Sequence, residues 1–174
     1  MSPEPVLGER RPELEQLWLD VWPGTSDRLY AILPRHTRRE GFLFLAAEED
    51  GRIVGFAYGY VGGNGERWHE RVARAVSEEQ RQRWLAPDEL EFIELGVHPG
   101  RRRRGIDGRL HDELLERAGR PTAVLATEVD NRAAIAFYED RAWETIIPEI
   151  RIGRPYRVMG LAVTPTRSST GVST

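Results

Sequence analysis

A chain of 174 residues with a formal net charge of −3 is long enough to bury one sizeable core, and it lacks the cationic excess of a general nucleic-acid binder. Cysteine is absent, which excludes disulfides, thiolate metal sites and cysteine nucleophiles. All 25 basic residues are arginine, which excludes a Walker-type phosphate lysine and a Schiff-base mechanism. No apolar stretch reaches membrane-spanning length, and Met1-Ser2-Pro3-Glu4-Pro5 carries no leader pattern, so a cytoplasmic protein with no membrane or nucleic-acid partner is expected. The exclusive use of arginine points to a GC-rich genome, and an actinobacterial source is expected.

In chain order, Pro12 to Val21 carries Leu14, Leu17, Trp18 and Val21 at helical spacing, and Ser26 to Thr37 offers a second helix with Leu29, Tyr30, Ile32 and Leu33. Phe42 to Ala47 and Ile53 to Val61 read as strands joined by the hairpin turn Glu49-Asp50-Gly51. Gly62 to Asp88 is longer than an ordinary connection: glycines come first, then a charged helix from Glu70 to Leu85. It is expected to act as an acceptor-side lid. Leu90 to Val97 is a strand, Gly105 to Ala118 a helix, Thr122 to Thr127 a strand, Asn131 to Arg141 a helix, and Trp143 to Ile147 with Tyr156 to Val163 a final strand pair. This alternation predicts an α/β fold around a mixed sheet, in one domain over residues 1–163, followed by a serine- and threonine-rich tail, 164–174, expected to be disordered.

The stretch from Leu90 to Leu115 carries the most chemistry. An apolar run stops at His98-Pro99-Gly100, four arginines follow, and Gly105 opens an amphipathic helix. The first amides of a helix lack intrahelical partners, so they point outward with partial positive charge and can bind a phosphate group. Gly105 has no side chain to hold a pyrophosphate away from the backbone. Arg102, Arg103 and Arg104 add permanent charge and forked donors. A solvated loop or a nucleic-acid patch is the alternative reading of the arginine run.

The run Arg102-Arg103-Arg104-Gly105-Ile106-Asp107-Gly108 resembles the acetyl-CoA signature of the GNAT N-acetyltransferase superfamily, with Arg102 as its first residue and Gly105 as its first glycine. Leu95-x-Val97-x-Pro99 is similar to that family's end of the splayed central strand. Asn131 followed seven residues later by Tyr138 resembles its second hallmark, a helix opened by asparagine and carrying a tyrosine. The resemblance covers residues 40 to 162 and implies the GNAT fold, a mixed central β-sheet with splayed central strands flanked by helices. It also implies acetyl-CoA as co-substrate, held by Leu95, Val97, Arg102, Arg103, Arg104, Gly105, Ile106, Asp107, Gly108, Asn131 and Tyr138. Homodimers are frequent in similar proteins. Two positions depart from the pattern. Asp107 stands where glycine or alanine is usual, and Ala142 stands where a glycine often ends the helix, so the turn there is expected to be built differently.

Acetyl transfer to an amine needs a base, an oxyanion donor and a proton for the departing thiolate. Glu91 and Glu94 both lie in the strand that should border the thioester. They are three apart, so a regular strand would point them to opposite faces, whereas the bulge that the resemblance implies leaves both in play as the base. The resemblance assigns the oxyanion contact to the Val97 amide. Tyr138 is the candidate acid, with core packing as its alternative role. Asn131 is expected to cap its helix, and the resemblance implies that it also holds the pantetheine arm. Trp18, Trp22, Tyr30, Tyr58, Tyr60, Trp68 and Trp84 lie in segments that could wall an acceptor site. Glu66, Glu70, Asp88 and Glu89 either attract a cation or form a solvated face. His36, His69, His98 and His111 show no paired metal spacing, so no metal is expected, and His111 is placed on the surface. No G-x-S-x-G elbow occurs. The expected function is an N-acetyltransferase that moves acetyl from acetyl-CoA to a primary amine, whether a small molecule, an antibiotic or a protein N-terminus, by direct attack. The alternative is a non-catalytic acyl-CoA-binding or regulatory module.

Overall fold

A computed structural model describes residues 7–63 and 67–163, with the side chains of residues 26–30 and 67 left aside. The expected tail from Thr164 to Thr174 and the expected acidic residue Glu66 lie outside the described residues. The elements in order are α1 (Arg11–Val21), α2 (Ser26–His36), β1 (Leu43–Glu49), β2 (Arg52–Val61), α3 (Arg67–Ala75), α4 (Glu78–Trp84), β3 (Leu90–Val97), α5 (Ile106–Ala118), β4 (Thr122–Glu128), α6 (Arg132–Glu139), β5 (Glu144–Ile152) and β6 (Arg154–Ala162). Six strands form one mixed sheet in the order β1-β2-β3-β4-β6-β5. Only β3 and β4 run parallel. No helix among the described residues is long and apolar enough to cross a membrane.

Both faces of the sheet are covered, which is why β2 is buried along nearly its whole length rather than alternating. Ile106, Leu110, Leu114 and Leu115 of α5 pack with Val54, Ala57, Phe92, Ala123 and Leu125 on one face. On the other, Leu14, Leu17 and Trp18 of α1 and Leu33 of α2 meet Phe44, Ile53, Phe56 and Tyr58. The β1–β2 hairpin turns through Asp50 and Gly51, both at positive φ (51° and 74°), the backbone of a type I′ turn.

The insertion departs from the single helix predicted for Glu70 to Leu85. Ser77 breaks it: its Oγ accepts from the Gln80 amide while its own amide donates to Gln80 Oε1, so a capping box starts a second helix. Val72 of α3, together with Trp84 and Leu85 from α4 and its end, is buried against Val124, Ile146, Ile147 and Val158. The insertion therefore completes the core over β4, β6 and β5. The last strand pair is also longer than predicted. Strand β5 runs on through Pro148, because it lies at the sheet edge, where a missing backbone donor is tolerated.

Helix α6 ends in a Schellman turn. The Trp143 amide donates to Tyr138 O (3.1 Å) and the Ala142 amide to Glu139 O (3.0 Å), while the Trp143 and Tyr138 rings meet at 5.6 Å. This turn needs a left-handed residue, and Ala142 supplies it at φ 63°. The expectation that the alanine would force another construction was wrong, because the ring contact and the two amide bonds outweigh a cost on the order of 1 kcal/mol. Ala142→Gly should consequently raise unfolding stability by about 0.5–1 kcal/mol, after allowing for the greater freedom of glycine in the unfolded chain. Urea denaturation checks this through a higher midpoint at unchanged slope.

Candidate active site

Strands β3 and β4 pair only at Leu90 with Ala123 and Glu91 with Val124 before they part. On the other side, β3 stays paired with β2 as far as Gly55 and Val97, and the His98 amide donates to Val54 O (2.9 Å). In an antiparallel ladder hydrogen-bonded and non-bonded pairs alternate. The His98 bond therefore turns the backbone groups of Val97 and Leu95 away from β2, into the gap that β4 has left. The ladder slips once: Tyr58 faces Glu94 but Gly59 faces Phe92, so Ile93 is an extra residue. This bulge places Glu91 and Glu94 on the same side of the strand.

A cavity of about 410 Å³ opens across the gap, lined by Glu91, Phe92, Ile93 and Glu94 of β3, Val124, Leu125 and Ala126 of β4, and Tyr60 of β2. Arg35 and His36 of α2, Trp68 of α3, and Tyr156 complete its walls. Of the aromatic residues proposed for an acceptor site, Tyr60 and Trp68 are there. Trp18, Trp22, Tyr58 and Trp84 are core residues or pack against the core, and the Tyr30 side chain lies outside the described residues.

Beyond the gap, the loop carrying the arginines leads into α5. Gly105 is the N-cap at φ 72°, a conformation that strains any other residue. Arg102 turns back so that its Nε donates to Val97 O (3.3 Å). Arg101 and Arg104 reach Glu49 Oε2 at 3.3 and 3.5 Å. Asp107 is not turned away from the helix: its Oδ1 accepts from the Gly108 amide at 2.9 Å. Sequence reasoning missed Arg141, whose Nη2 would lie 2.5 Å from a Cβ at Gly108, so only glycine lets that guanidinium approach the helix start. Arg141 is held by Phe137, with the guanidinium carbon 3.9 Å from the ring centre.

Asn131 caps α6, its Oδ1 accepting from the Ala134 amide at 3.2 Å. Tyr138 is buried among Phe92, Phe137, His111 and Trp143. Its phenol is pushed well above the ordinary tyrosine value, first by burial and then by the nearby Glu94 carboxylate. His111 corrects the surface expectation: it is 2 % exposed. Trp143 Nε1 can only donate, so His111 Nε2 (2.9 Å away) accepts, and the proton sits on Nδ1, which donates to Asp112 Oδ1 at 2.7 Å. Helical spacing could have revealed this, since His111 follows Leu110 and precedes Leu114 on the buried face.

The acetyltransferase (GNAT) family profile matches residues 10–143. The chain belongs to this family. Solved structures of similar fold include an aminoglycoside 6'-acetyltransferase type Ii, 19 % identical at TM-score 0.66 with 94 % of each chain covered. The ribosomal-protein-S18-alanine N-acetyltransferase of Escherichia coli is 18 % identical at TM-score 0.61, with 93 % of each chain covered. The PaiA N-acetyltransferase of Thermoplasma acidophilum in complex with coenzyme A is 15 % identical at TM-score 0.60, covering 89 % of this chain and 94 % of that one. Among curated proteins no sequence matches significantly.

This GNAT acetyltransferase also brings together residues that its linear sequence keeps apart. His69 of α3 lies beside Glu89 and Glu91, all three buried. The Glu89 carboxylate, then that of Glu91, push the His69 imidazole up to about 9. Burial, then the charge of Glu91, raise the Tyr60 phenol. Glu89, which the sequence left between a cation-attracting role and a solvated face, is 0 % exposed. The only linear signal was its two-residue spacing from Glu91, which puts both on one face of a strand start.

Burial lowers the pKa of His111, and the bond to Asp112 only partly opposes this. At this residue the folded state therefore holds fewer protons than the unfolded chain near the ordinary histidine range. The stability this histidine contributes is complete above an unfolded pKa of about 6.5 and is lost as pH falls towards the lower folded value. The melting temperature of His111→Gln should therefore depend less on pH below about 6.5 than that of the wild type; parallel profiles would contradict the neutral, buried imidazole.

Proposed function

We propose that the protein acetylates a small primary amine which enters the cavity between β3 and β4 and attacks the thioester of acetyl-CoA directly. The observation that carries this reading is the parting of the two strands immediately beside Glu94, which leaves unpaired backbone donors, a carboxylate and a small-molecule cavity at one place. The co-substrate would lie along the gap, with its diphosphate at Gly105 and the amides of α5, near Arg102, Arg103 and Arg141, and with its pantetheine arm against Leu95, Val97 and Asn131.

Glu94 is the base in this reading. Both glutamates line the cavity, but Glu91 is 1 % exposed and turned towards His69 and Glu89, whereas Glu94 is only partly buried. Glu94 takes the ammonium proton, directly or through water, and the free amine forms its C–N bond at the thioester carbon. The Val97 amide donates to the developing oxyanion. As the C–S bond breaks, the Tyr138 phenol, kept protonated by its surroundings, donates to the thiolate, and the second proton shed by the nitrogen as the amide forms restores the phenol through solvent. Trp68 and Tyr60 supply apolar walls, and the presence of both Arg35 and Glu94 in the lining suits an acceptor carrying polar groups besides its amine.

One observation favours the second reading, a module that binds acyl-CoA weakly and does not turn over. Asp107 occupies the Gly108 amide and brings a negative charge to the expected diphosphate site.

Coenzyme A release over a panel of amines, with acetyl-CoA binding followed by calorimetry, separates the readings. Glu94→Gln should lower kcat by about 10²-fold or more while acetyl-CoA binding stays intact; an active variant removes the base assignment. Asp107→Ala should tighten acetyl-CoA binding by about tenfold, roughly 1.4 kcal/mol. Unchanged affinity would mean that the carboxylate does not face the diphosphate, and no binding heat at millimolar acetyl-CoA would end both readings.

A further inference from the structure

We propose that His69, Glu89 and Glu91 form a binding site for a divalent transition-metal cation of the zinc class, which ties the inserted helix α3 to the start of β3. His69 Nδ1 lies 3.0 Å from Glu89 Oε1 and 3.6 Å from Glu91 Oε1, and one ligand atom from each residue falls within 4.8 Å of the others. The three residues are 6 %, 0 % and 1 % exposed.

Four polar atoms of this cluster meet only one another and lack a hydrogen-bond partner. Glu89 Oε1 and Oε2, Glu91 Oε1 and His69 Nδ1 are sealed from solvent without a hydrogen bond. Although Nδ1 comes within 3.0 Å of a carboxylate oxygen, the pair does not have hydrogen-bond geometry. A buried carboxylate without a partner is strongly unfavourable, so unsatisfied atoms that converge on one point need a cation there. Charge balance indicates which cation. Two carboxylates with an imidazolium leave one net negative charge sealed inside, whereas two carboxylates, a neutral imidazole and a divalent ion sum to zero.

The spacing agrees with this count. Zinc binds nitrogen and carboxylate oxygen at about 2.0–2.2 Å in tetrahedral geometry, so neighbouring ligand atoms should be about 3.3–3.6 Å apart, a range that the 3.6 Å approach of His69 Nδ1 to Glu91 meets and the 3.0 Å approach to Glu89 falls slightly short of. A coordinated imidazole directs its lone pair at the ion rather than at the neighbouring oxygens, which explains close approach without hydrogen-bond alignment. One histidine with two carboxylates is a donor set that zinc and its neighbours in the first row accept, while magnesium prefers oxygen alone. Gly62 keeps the space open: its amide donates to Glu89 O (2.9 Å), and a Cβ there would overlap Glu89 Oε1.

The site borders the proposed acceptor cavity through Glu91 but takes no part in the transfer chemistry proposed above, and its test does not depend on turnover. Untagged, chelator-treated full-length protein is titrated with Co2+, then with Zn2+ under a thermal melt. The chain has no cysteine and few other histidines to compete. The expected result is one equivalent of Co2+ with the strong visible absorption of four-coordinate cobalt, and a Zn2+-dependent rise of several degrees in Tm. The isosteric Glu89→Gln and the milder His69→Asn should each weaken Co2+ binding at least tenfold. Absence of saturable Co2+ binding to the wild type overturns the proposal and leaves a simple imidazolium–carboxylate pair. Binding that persists unchanged in both variants overturns it as well, because the metal would then sit elsewhere. Should either variant fail to fold, the wild-type titration alone decides.

Discussion

Everything at the candidate site follows from two parallel strands that stop pairing after two residue pairs. A sheet normally satisfies each backbone donor with the next strand, and unpaired interior donors are costly. Here β3 is held on one side only, by β2, and the antiparallel alternation fixes which of its amides face the open side. The gap is thus a chemically defined slot rather than a packing defect. One wall offers backbone donors, the bulge at Ile93 sets the carboxylates, and the arginine loop with the start of α5 lies where the slot ends.

Much of this was legible in the sequence because the signals were local. The β3 boundaries, the glycine that starts α5 and the asparagine that caps α6 coincide with the positions read from residue type and spacing alone. The fold class and the family follow from those same motifs. What the sequence did not disclose depends on contacts between segments. Ser77 and Gln80 carried a local stop signal that the charged helical pattern obscured. His111 looked polar, yet its two ring nitrogens are matched by Trp143 and Asp112, so it can be buried at little cost. Asp107 could be judged only against the amide it meets, and Arg141 only against the glycine that makes room for it.

The insertion shows the same limit most clearly. Read along the chain, residues 62–88 resemble a polar, charge-rich connection, and a cover over the acceptor site was the natural expectation. In three dimensions the segment does two jobs: Val72, Trp84 and Leu85 fill the core under β4, β6 and β5, while Trp68 lines the cavity and His69 meets the carboxylates of Glu89 and Glu91. A segment anchored by buried tryptophan and by a polar cluster is poorly suited to swinging open. Entry to the cavity is therefore better served by its other borders than by wholesale movement of these helices.

The strand order also constrains how the chain is made. β5 pairs only with β6, and β4 has β6 as its sole long partner, since it touches β3 at just two positions. As the polypeptide leaves the ribosome, the segments up to β3 can assemble from neighbours already present. The other half must wait for residues 154–162 to emerge and slide between two strands made before them. Tyr156, which closes the cavity, travels on that last piece. A nascent chain arrested before this point would present an unfinished sheet edge and no bounded cavity, so a competent molecule arises only once residue 162 has emerged.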